Sequence, residues 1–296
     1  MRVCVIFNPV AKGDKARNFQ ARLAAIGRQA SVKLTRCAGD ARVLAAEAVR
    51  EGFEVVVAAG GDGTLNEVLN GIGDVANGFE QTRLGVLPLG TVNVFARELR
   101  IPMKLAAAWE IILRQREARI DLPWAEYRAD GMLQKRWFAQ LAGAGLDARA
   151  IELVNWRLKK NFGPLAYVYA GLKAILEKKP TLTASAGDSK LVGQLVLVGN
   201  GRLYGGNFAT FHEAQMDDGK LDVCVFPRTN LLTLLRCAAP LLLAGKLPAR
   251  VVRRFQAAEF ELNGPPSAAF ELDGELVGRL PVKFAVAPQR LRVIVP

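Results

Sequence analysis

Histidine is all but missing from this chain: a single one, His212, occurs in 296 residues. A metal centre built on several imidazoles is excluded, and His212 itself reads as a polar loop or strand residue rather than a catalyst. Cysteine is also sparse. Cys4, Cys37, Cys224 and Cys237 are widely spaced and include no Cys-x-x-Cys pair. With Cys4 and Cys224 inside apolar runs, the set is expected to be buried and structural. No apolar run reaches the roughly 18–20 residues that span a bilayer. The longest, Leu231 to Leu247, is interrupted by Arg236, Pro240 and Lys246. The opening Met1 to Pro9 is too short for a signal-peptide core and has no small-residue cleavage site, so a cytoplasmic location is expected. Acidic residues are the scarce charge, 28 against 40 Lys plus Arg, for a net charge of +12.

What is present fits a folded chain. Apolar residues make up 51% and charged residues 23%, far from the composition of disordered chains. The basic excess suits nucleic acid, an anionic membrane surface or a phosphorylated ligand. Between Arg228 and Arg254 stand six basic residues and no acidic one, interleaved with leucines such as Leu231, Leu232, Leu234 and Leu235. Leucine interleaving favours a lipid surface over a base-stacking platform, so no nucleic-acid partner is expected. A core-facing helix with a solvated basic side is the competing reading. Peripheral membrane association is expected, and self-association into a homodimer is left open.

The length suggests two domains. Over the first 120 residues strand and helix alternate: Val3–Phe7 is a buried strand, Ala16, Phe19, Leu23 and Ile26 keep helical spacing, and Asp40 caps a helix that ends at Gly52. Strands at Phe53–Ala59 and Leu84–Leu87 follow, with helices at Asn93–Arg100 and Leu105–Arg116. This alternation predicts a parallel α/β sheet. After Asp121 short runs dominate: Trp137–Leu141, Leu191–Val198, Phe208–Phe211, Leu221–Phe226, Phe255–Leu262 and Val282–Val286. They predict an antiparallel β-sandwich, with helical stretches at Ala150–Leu176 and from Leu231. The expected domains are 1–123, α/β, and 124–286, β-sandwich, with 287–296 able to rejoin the first.

The strongest local signal is Gly60-Gly61-Asp62-Gly63-Thr64-Leu65-Asn66-Glu67, which follows an all-apolar strand and opens a helix. Glycines there let backbone N–H groups close on a phosphate, and the helix N-terminus favours its charge. The motif is neither a Walker A loop nor Gly-x-Gly-x-x-Gly. Two further glycine-bearing turns, Asn8-Pro9-Val10-Ala11-Lys12-Gly13 and Leu87-Pro88-Leu89-Gly90-Thr91-Val92-Asn93, also end strands. In a parallel sheet such turns gather at the carboxyl edge, where ligands bind.

This ordered set, extended by Gly205-Gly206, Asp218-Gly219-x-Leu221 and Asp273-Gly274-Glu275, resembles the diacylglycerol kinase catalytic-domain family, which includes sphingosine and ceramide kinases and bacterial soluble lipid kinases. The resemblance implies an ATP-dependent, magnesium-requiring lipid kinase with its site in a cleft between the two domains. It implies that ATP is held by Asn8, Pro9, Val10, Ala11, Lys12, Thr35, Gly61, Asp62, Gly63, Thr64, Leu65, Asn66, Glu67 and Thr91. Asp62 would lie near the phosphates or their Mg²⁺, while also serving as a turn-stabilising residue. Asp121 would support the site across the cleft. Glu275 would take the proton of a lipid hydroxyl, with Asp273 as its neighbour and metal contact. A structural magnesium would sit on Asp218 and the carbonyls of Gln215 and Lys220.

Two positions depart from the family pattern. Ala11-Lys12 replaces the usual Ser-Gly, removing a hydroxyl and adding a cation. Asn93-Val94 replaces Asn-Asp, which removes a carboxylate from the third turn. Two other readings stand beside the lipid kinase: an NAD kinase-like phosphotransferase, which shares the glycine-rich turn, and a catalytically silent nucleotide- or lipid-binding regulator. No motif names the lipid.

Overall fold

The computed structural model describes residues 2–9, 26–153, 173–244, 247–248 and 250–296. Val10, Ala11, Lys12 and the helical pattern through Leu23 lie outside the described residues, as does most of the expected Ala150–Leu176 stretch.

The first half follows the alternation in the sequence: β1 (Val3–Phe7), β2 (Ser31–Leu34), α1 (Asp40–Arg50), β3 (Val55–Gly60), α2 (Asp62–Gly73), α3 (Gly78–Gln81), β4 (Arg83–Pro88), α4 (Val94–Glu98) and α5 (Leu105–Arg114). β1 and β3 are buried along their whole length, as parallel strands covered on both faces must be. They pair in parallel with each other, β1 with β2 and β3 with β4. Small residues bring α1 onto α2, because a side chain at Gly71 would run into Arg42 and Ala45 of α1. Asp40 does not cap α1. Its carboxylate turns back to accept the N–H groups of Arg36 and Cys37, and Glu67 of α2 takes those of Gly39 and Ala41 instead.

The second half contains β5 (Glu117–Ala129), β6 (Met132–Trp137), β7 (Leu141–Gly145), α6 (Leu146–Leu153), β8 (Leu182–Ala186), β9 (Ser189–Gly193), β10 (Leu195–Gly199), β11 (Leu221–Phe226), α7 (Leu231–Ala244), β12 (Arg253–Ala257), β13 (Glu259–Asn263), β14 (Ala269–Leu272), β15 (Glu275–Arg279) and β16 (Val282–Ile294). Several expected strands are cut. Trp137–Leu141 breaks between β6 and β7, where backbone N–H groups serve a side chain instead of a ladder. Leu191–Val198 breaks at Gln194, and Phe255–Leu262 at Ala258, whose carbonyl accepts Val286 N–H. Phe208–Phe211 is a turn closed by the single Tyr204–Phe208 bridge.

Two sheets result. The larger runs β2-β1-β3-β4-β16-β13-β8-β9, with β5 alongside β16 and β6 beyond it; the smaller is β12-β11-β10-β7-β14-β15. β16 begins antiparallel to β13 and ends parallel to β4 at Val293 and Leu84, so one sheet runs through both halves. The positions 123/124 and 286/287 fall inside β5 and β16. Between the sheets lies the sandwich core. There Phe284 stacks on Phe260 at 5.1 Å and meets Phe270 edge-on at 6.2 Å, each such contact adding about 1 kcal/mol beyond its buried area.

Cys4, Cys224 and Cys237 are buried, whereas Cys37 is exposed and its thiol donates to Asp40 Oδ1 at 3.2 Å. Among the described residues no helix is long and apolar enough to cross a membrane.

Candidate active site

The turns after β1, β3 and β4 meet. Asn8 N–H donates to Ala59 O, and Asn8 Nδ2 to Thr64 Oγ1 at 3.2 Å. Leu89 and Gly90 N–H both donate to Gly60 O. A Cβ on Gly90 would stand 2.5 Å from Gly61 Cα, so glycine at 90 is what lets the two loops touch. Thr35, buried, donates its N–H to Phe7 O beside them, while Pro9 and Thr91 are exposed at the rim. Asn93 closes its own turn through Gly90. Where a carboxylate is lacking at Val94, polar contact comes from the main chain: the N–H groups of Asn93, Val94 and Phe95 reach the Asp62 carboxylate. Burial, with the charge of Asp273 in support, outweighs them and pushes the Asp62 carboxyl up to about 6.

The expected loop residues divide by direction. Gly61, Asp62 and Gly63 are half-exposed, Thr64 is buried, Leu65 packs into the core, and Glu67 is used in capping α1. Asn66 is fully buried and links the halves. Its Nδ2 donates to Asp273 Oδ2 at 2.8 Å, and its Oδ1 accepts from Arg136 Nη2, also at 2.8 Å.

Asp273 and Gly274 form the two-residue hairpin between β14 and β15, both with positive φ (49° and 86°), the Asp-Gly signature of a type I′ turn. Asp273 spends its acceptor positions on the frame of this turn. Oδ1 accepts the N–H groups of Gln140 and Leu141, and Oδ2 those of Ala139 and Asn66. Of these, Ala139 and Gln140 stand between the end of β6 and the start of β7. The hairpin carries Glu275 onto the phosphate-type loop: a Cβ on Gly63 would lie 2.7 Å from Glu275 Oε1. Glu275 Oε2 accepts from Arg136 Nη2 at 2.7 Å. Glu275 and the loop that carries Asp62 thus meet at Gly63.

Asp121 is pinned elsewhere. Its Oδ1 accepts Gln289 N–H and its Oδ2 Gly219 N–H, both at 2.7 Å, joining β5 to the 216–219 turn and to the irregularity in β16. Burial raises its carboxyl above the ordinary range against these two donors. At the same turn Gln215 and Lys220 are exposed, and Asp218 Oδ1 accepts Lys220 N–H at 3.0 Å. Among the described residues no group of three or more His, Cys, Asp or Glu side chains is placed to hold an ion. His212 lies beside Arg254 Nη1 at 3.1 Å.

Sequence reasoning missed several participants. Arg136 lies in β6, where nothing local marks it. Glu271, two positions before the turn, looks solvent-facing by alternation yet is fully buried. Its Oε2 accepts Gly274 N–H at 2.6 Å, and it hydrogen-bonds Asp147, which also bonds Tyr204. Burial first, then the charge of Asp147, raises the Glu271 carboxyl well above its ordinary range. A charged residue between Phe270 and Leu272 was the available signal. The 204–208 loop is tied to α4 beyond the third turn, with Arg97 Nη1 donating to Asn207 Oδ1 at 3.0 Å.

Residues 2–124 match the family described as the diacylglycerol kinase catalytic domain, and residues 140–295 match the YegS C-terminal NAD kinase beta sandwich-like domain. The chain is 33% identical over 295 residues to a Pseudomonas aeruginosa protein named "Probable lipid kinase YegS-like", covering 97% of this chain and 93% of that one. It is 29% identical over 303 residues to the diacylglycerol kinase of Bacillus subtilis, covering 100% and 96%. Among solved structures, a diacylglycerol kinase from Bacillus anthracis has a TM-score of 0.78 at 21% identity, covering 100% of this chain and 97% of that one. Yeast NADH kinase has 0.56 at 8% identity, covering 100% and 84%. At those identities the likeness to both structures is one of fold.

Proposed function

Because the chain belongs to the diacylglycerol kinase catalytic-domain family, we propose that it transfers the γ-phosphoryl group of ATP to the hydroxyl of diacylglycerol or a similar lipid alcohol. The observation that carries this reading is the approach of Glu275 to Gly63: a carboxylate from the second half faces the glycine-rich loop at the start of α2. N–H groups of that loop are suited to cradle the triphosphate. Glu275, with Oε2 held by Arg136 and Oε1 toward the loop, is the group to accept the lipid hydroxyl's proton. As it does so the hydroxyl oxygen bonds to the γ-phosphorus, and the bond to the β–γ bridging oxygen breaks, releasing ADP.

Asp273, its four acceptor positions taken, is assigned to holding the turn rather than a metal. Asp121 is a positioning residue too, fixing β5 and β16 where they run between the halves. Magnesium bound with the triphosphate supplies charge neutralisation on the phosphoryl oxygens. The donor set suits an ion that arrives with ATP, since Mg²⁺ ordinarily takes one or two carboxylates beside phosphates and water; Asp62 is the carboxylate for it. A second ion at the 215–220 turn would rest on Asp218 and main-chain oxygens of Gln215 and Lys220. The acyl chains are assigned to an apolar slot in the sandwich half.

Incubation with radiolabelled ATP and a total lipid extract tests the reading: a labelled phospholipid is expected, and Glu275→Gln should abolish it while ATP binding persists. Label appearing in NAD and not in lipid would favour the NAD kinase alternative. ATP or lipid binding with no transfer to either acceptor would favour the silent regulator.

A further inference from the structure

We propose that α7 is a docking surface for an anionic lipid bilayer. The helix is capped by Asn230, whose Oδ1 accepts Thr233 N–H at 2.8 Å, and it lies on the outer face of the six-stranded sheet. Cys237 points inward to join Cys224, Phe226, Leu247 and Val252 in one buried cluster. Opposite, Leu231, Leu232 and Leu235 are 55%, 55% and 61% exposed. With exposed Arg236 they fall at i, i+1, i+4 and i+5, a single helix face. A leucine costs free energy when left in water, and three on one face of a helix mark an interaction surface.

Charge selects the occupant. Arg228 before the helix, Arg236 on it, and Arg250 and Arg253 after it are all exposed, and the segment from Arg228 to Arg254 has no acidic residue. Apolar side chains bordered by arginines match the interface of an anionic leaflet, where acyl chains take up leucine and headgroups take up arginine. A second copy of the same face would oppose arginine to arginine, which disfavours self-pairing. A nucleic acid would leave the leucines without a partner. This binding is independent of the transfer chemistry.

Vesicle flotation of the full chain tests it, with phosphatidylcholine vesicles with and without phosphatidylglycerol as the probe. The wild-type protein should float with the anionic vesicles and at least tenfold less with the neutral ones. Arg228→Gln/Arg236→Gln should weaken anionic binding about 25-fold, two residues at about fivefold each. Leu231→Ser/Leu232→Ser/Leu235→Ser should abolish flotation on both. Both variants should turn over a water-soluble short-chain diacylglycerol within twofold of wild type. Equal flotation of wild type on neutral and anionic vesicles, or wild-type flotation of the serine variant, would overturn the proposal. So would a serine variant that changes from dimer to monomer by light scattering while still floating, which would make the face a contact between copies. A protein that floats as expected yet phosphorylates no lipid would sink the kinase reading and leave the docking surface standing.

Discussion

Glu275 Oε1 stands where a side chain on Gly63 would have to go: a Cβ there would lie 2.7 Å from it. Glycine at 63 therefore serves distance rather than backbone freedom, since it sits in the first turn of α2 without a positive φ. Loop and hairpin, 212 residues apart in sequence, are fitted to one carboxylate.

Gly63→Ala should consequently separate activity from stability. The neighbour is the free end of a side chain, so the fold accommodates the methyl by turning Glu275 aside, and alanine is the better helix former by about 1 kcal/mol. A displacement of about 1 Å at a catalytic group costs on the order of 100-fold in rate. The expected result is kcat lowered about 100-fold with an unchanged or slightly higher Tm, measured by steady-state kinetics and calorimetry on the same preparation. A variant with wild-type kcat would separate Glu275 from the transfer step.

Arg136 links Glu275 to Asn66 through one guanidinium, with Nη2 donating to both and Nε reaching Asn66 Oδ1 at 3.2 Å. A planar fork makes these contacts together; an ammonium makes fewer. Arg136→Met should lower kcat about 100-fold with KM for ATP within threefold, and Arg136→Lys should recover part of the loss. A change confined to KM for ATP would move Arg136 from positioning Glu275 to binding nucleotide.

Asp62 should make the protein less stable as the pH rises. Its carboxyl sits up at about 6, with burial the largest cause, and the unfolded chain gives up the same proton near 4. The folded form therefore holds the proton longer, and stability falls between about pH 4 and pH 6 and stays reduced above. Asp62→Asn keeps the shape without the charge. Its Tm should match wild type at pH 4 and exceed it by about 5–10 °C at pH 7, roughly 3 kcal/mol for two pH units at about 1.4 kcal/mol each, while activity is lost. Asp222, also raised to about 6 mainly by burial, leaves a residual slope in the variant. Identical melting curves for the two proteins across this range would remove Asp62 as the source.

The framework of the site was legible because it is written in local backbone chemistry. Gly61 and Gly90 announce turns after apolar strands, and Asp273-Gly274 announces a two-residue hairpin, each from its own neighbourhood. The wiring was not. Asn66 and Asp273 are 207 residues apart, Arg136 and Glu275 139 apart, and nothing beside either member names the other. The Asp40 cap failed for the same reason: a distant carboxylate, Glu67, took the helix end. Strand ends were misjudged where main-chain N–H groups serve a side chain, as Asp273 takes those of Ala139 and Gln140 between β6 and β7.

Behind the Asp273-Gly274 turn, Glu271 and Asp147 must share a proton. Were both ionised, Asp147 Oδ2 and Glu271 Oε1 would sit buried over Gly143 with no donor between them. A proton on Glu271, held by burial and by the neighbouring charge, turns that repulsion into a hydrogen bond and leaves Glu271 Oε2 free to accept Gly274 N–H. Glu271→Gln supplies the same neutral donor and acceptor, so stability within about 1 kcal/mol of wild type and near-normal kcat are expected. Glu271→Ala leaves Asp147 buried without that partner and the turn without its strut, at a cost of about 3 kcal/mol and a fall in kcat larger than any change in KM. The sign with pH follows from the raised carboxyl: wild-type stability declines as pH rises toward the value at which Glu271 ionises, and Glu271→Gln flattens that decline. Denaturant titrations from pH 6 to pH 9 measure the difference. A glutamine variant as unstable as the alanine one would show that Glu271 is ionised in the fold and that the shared proton does not exist.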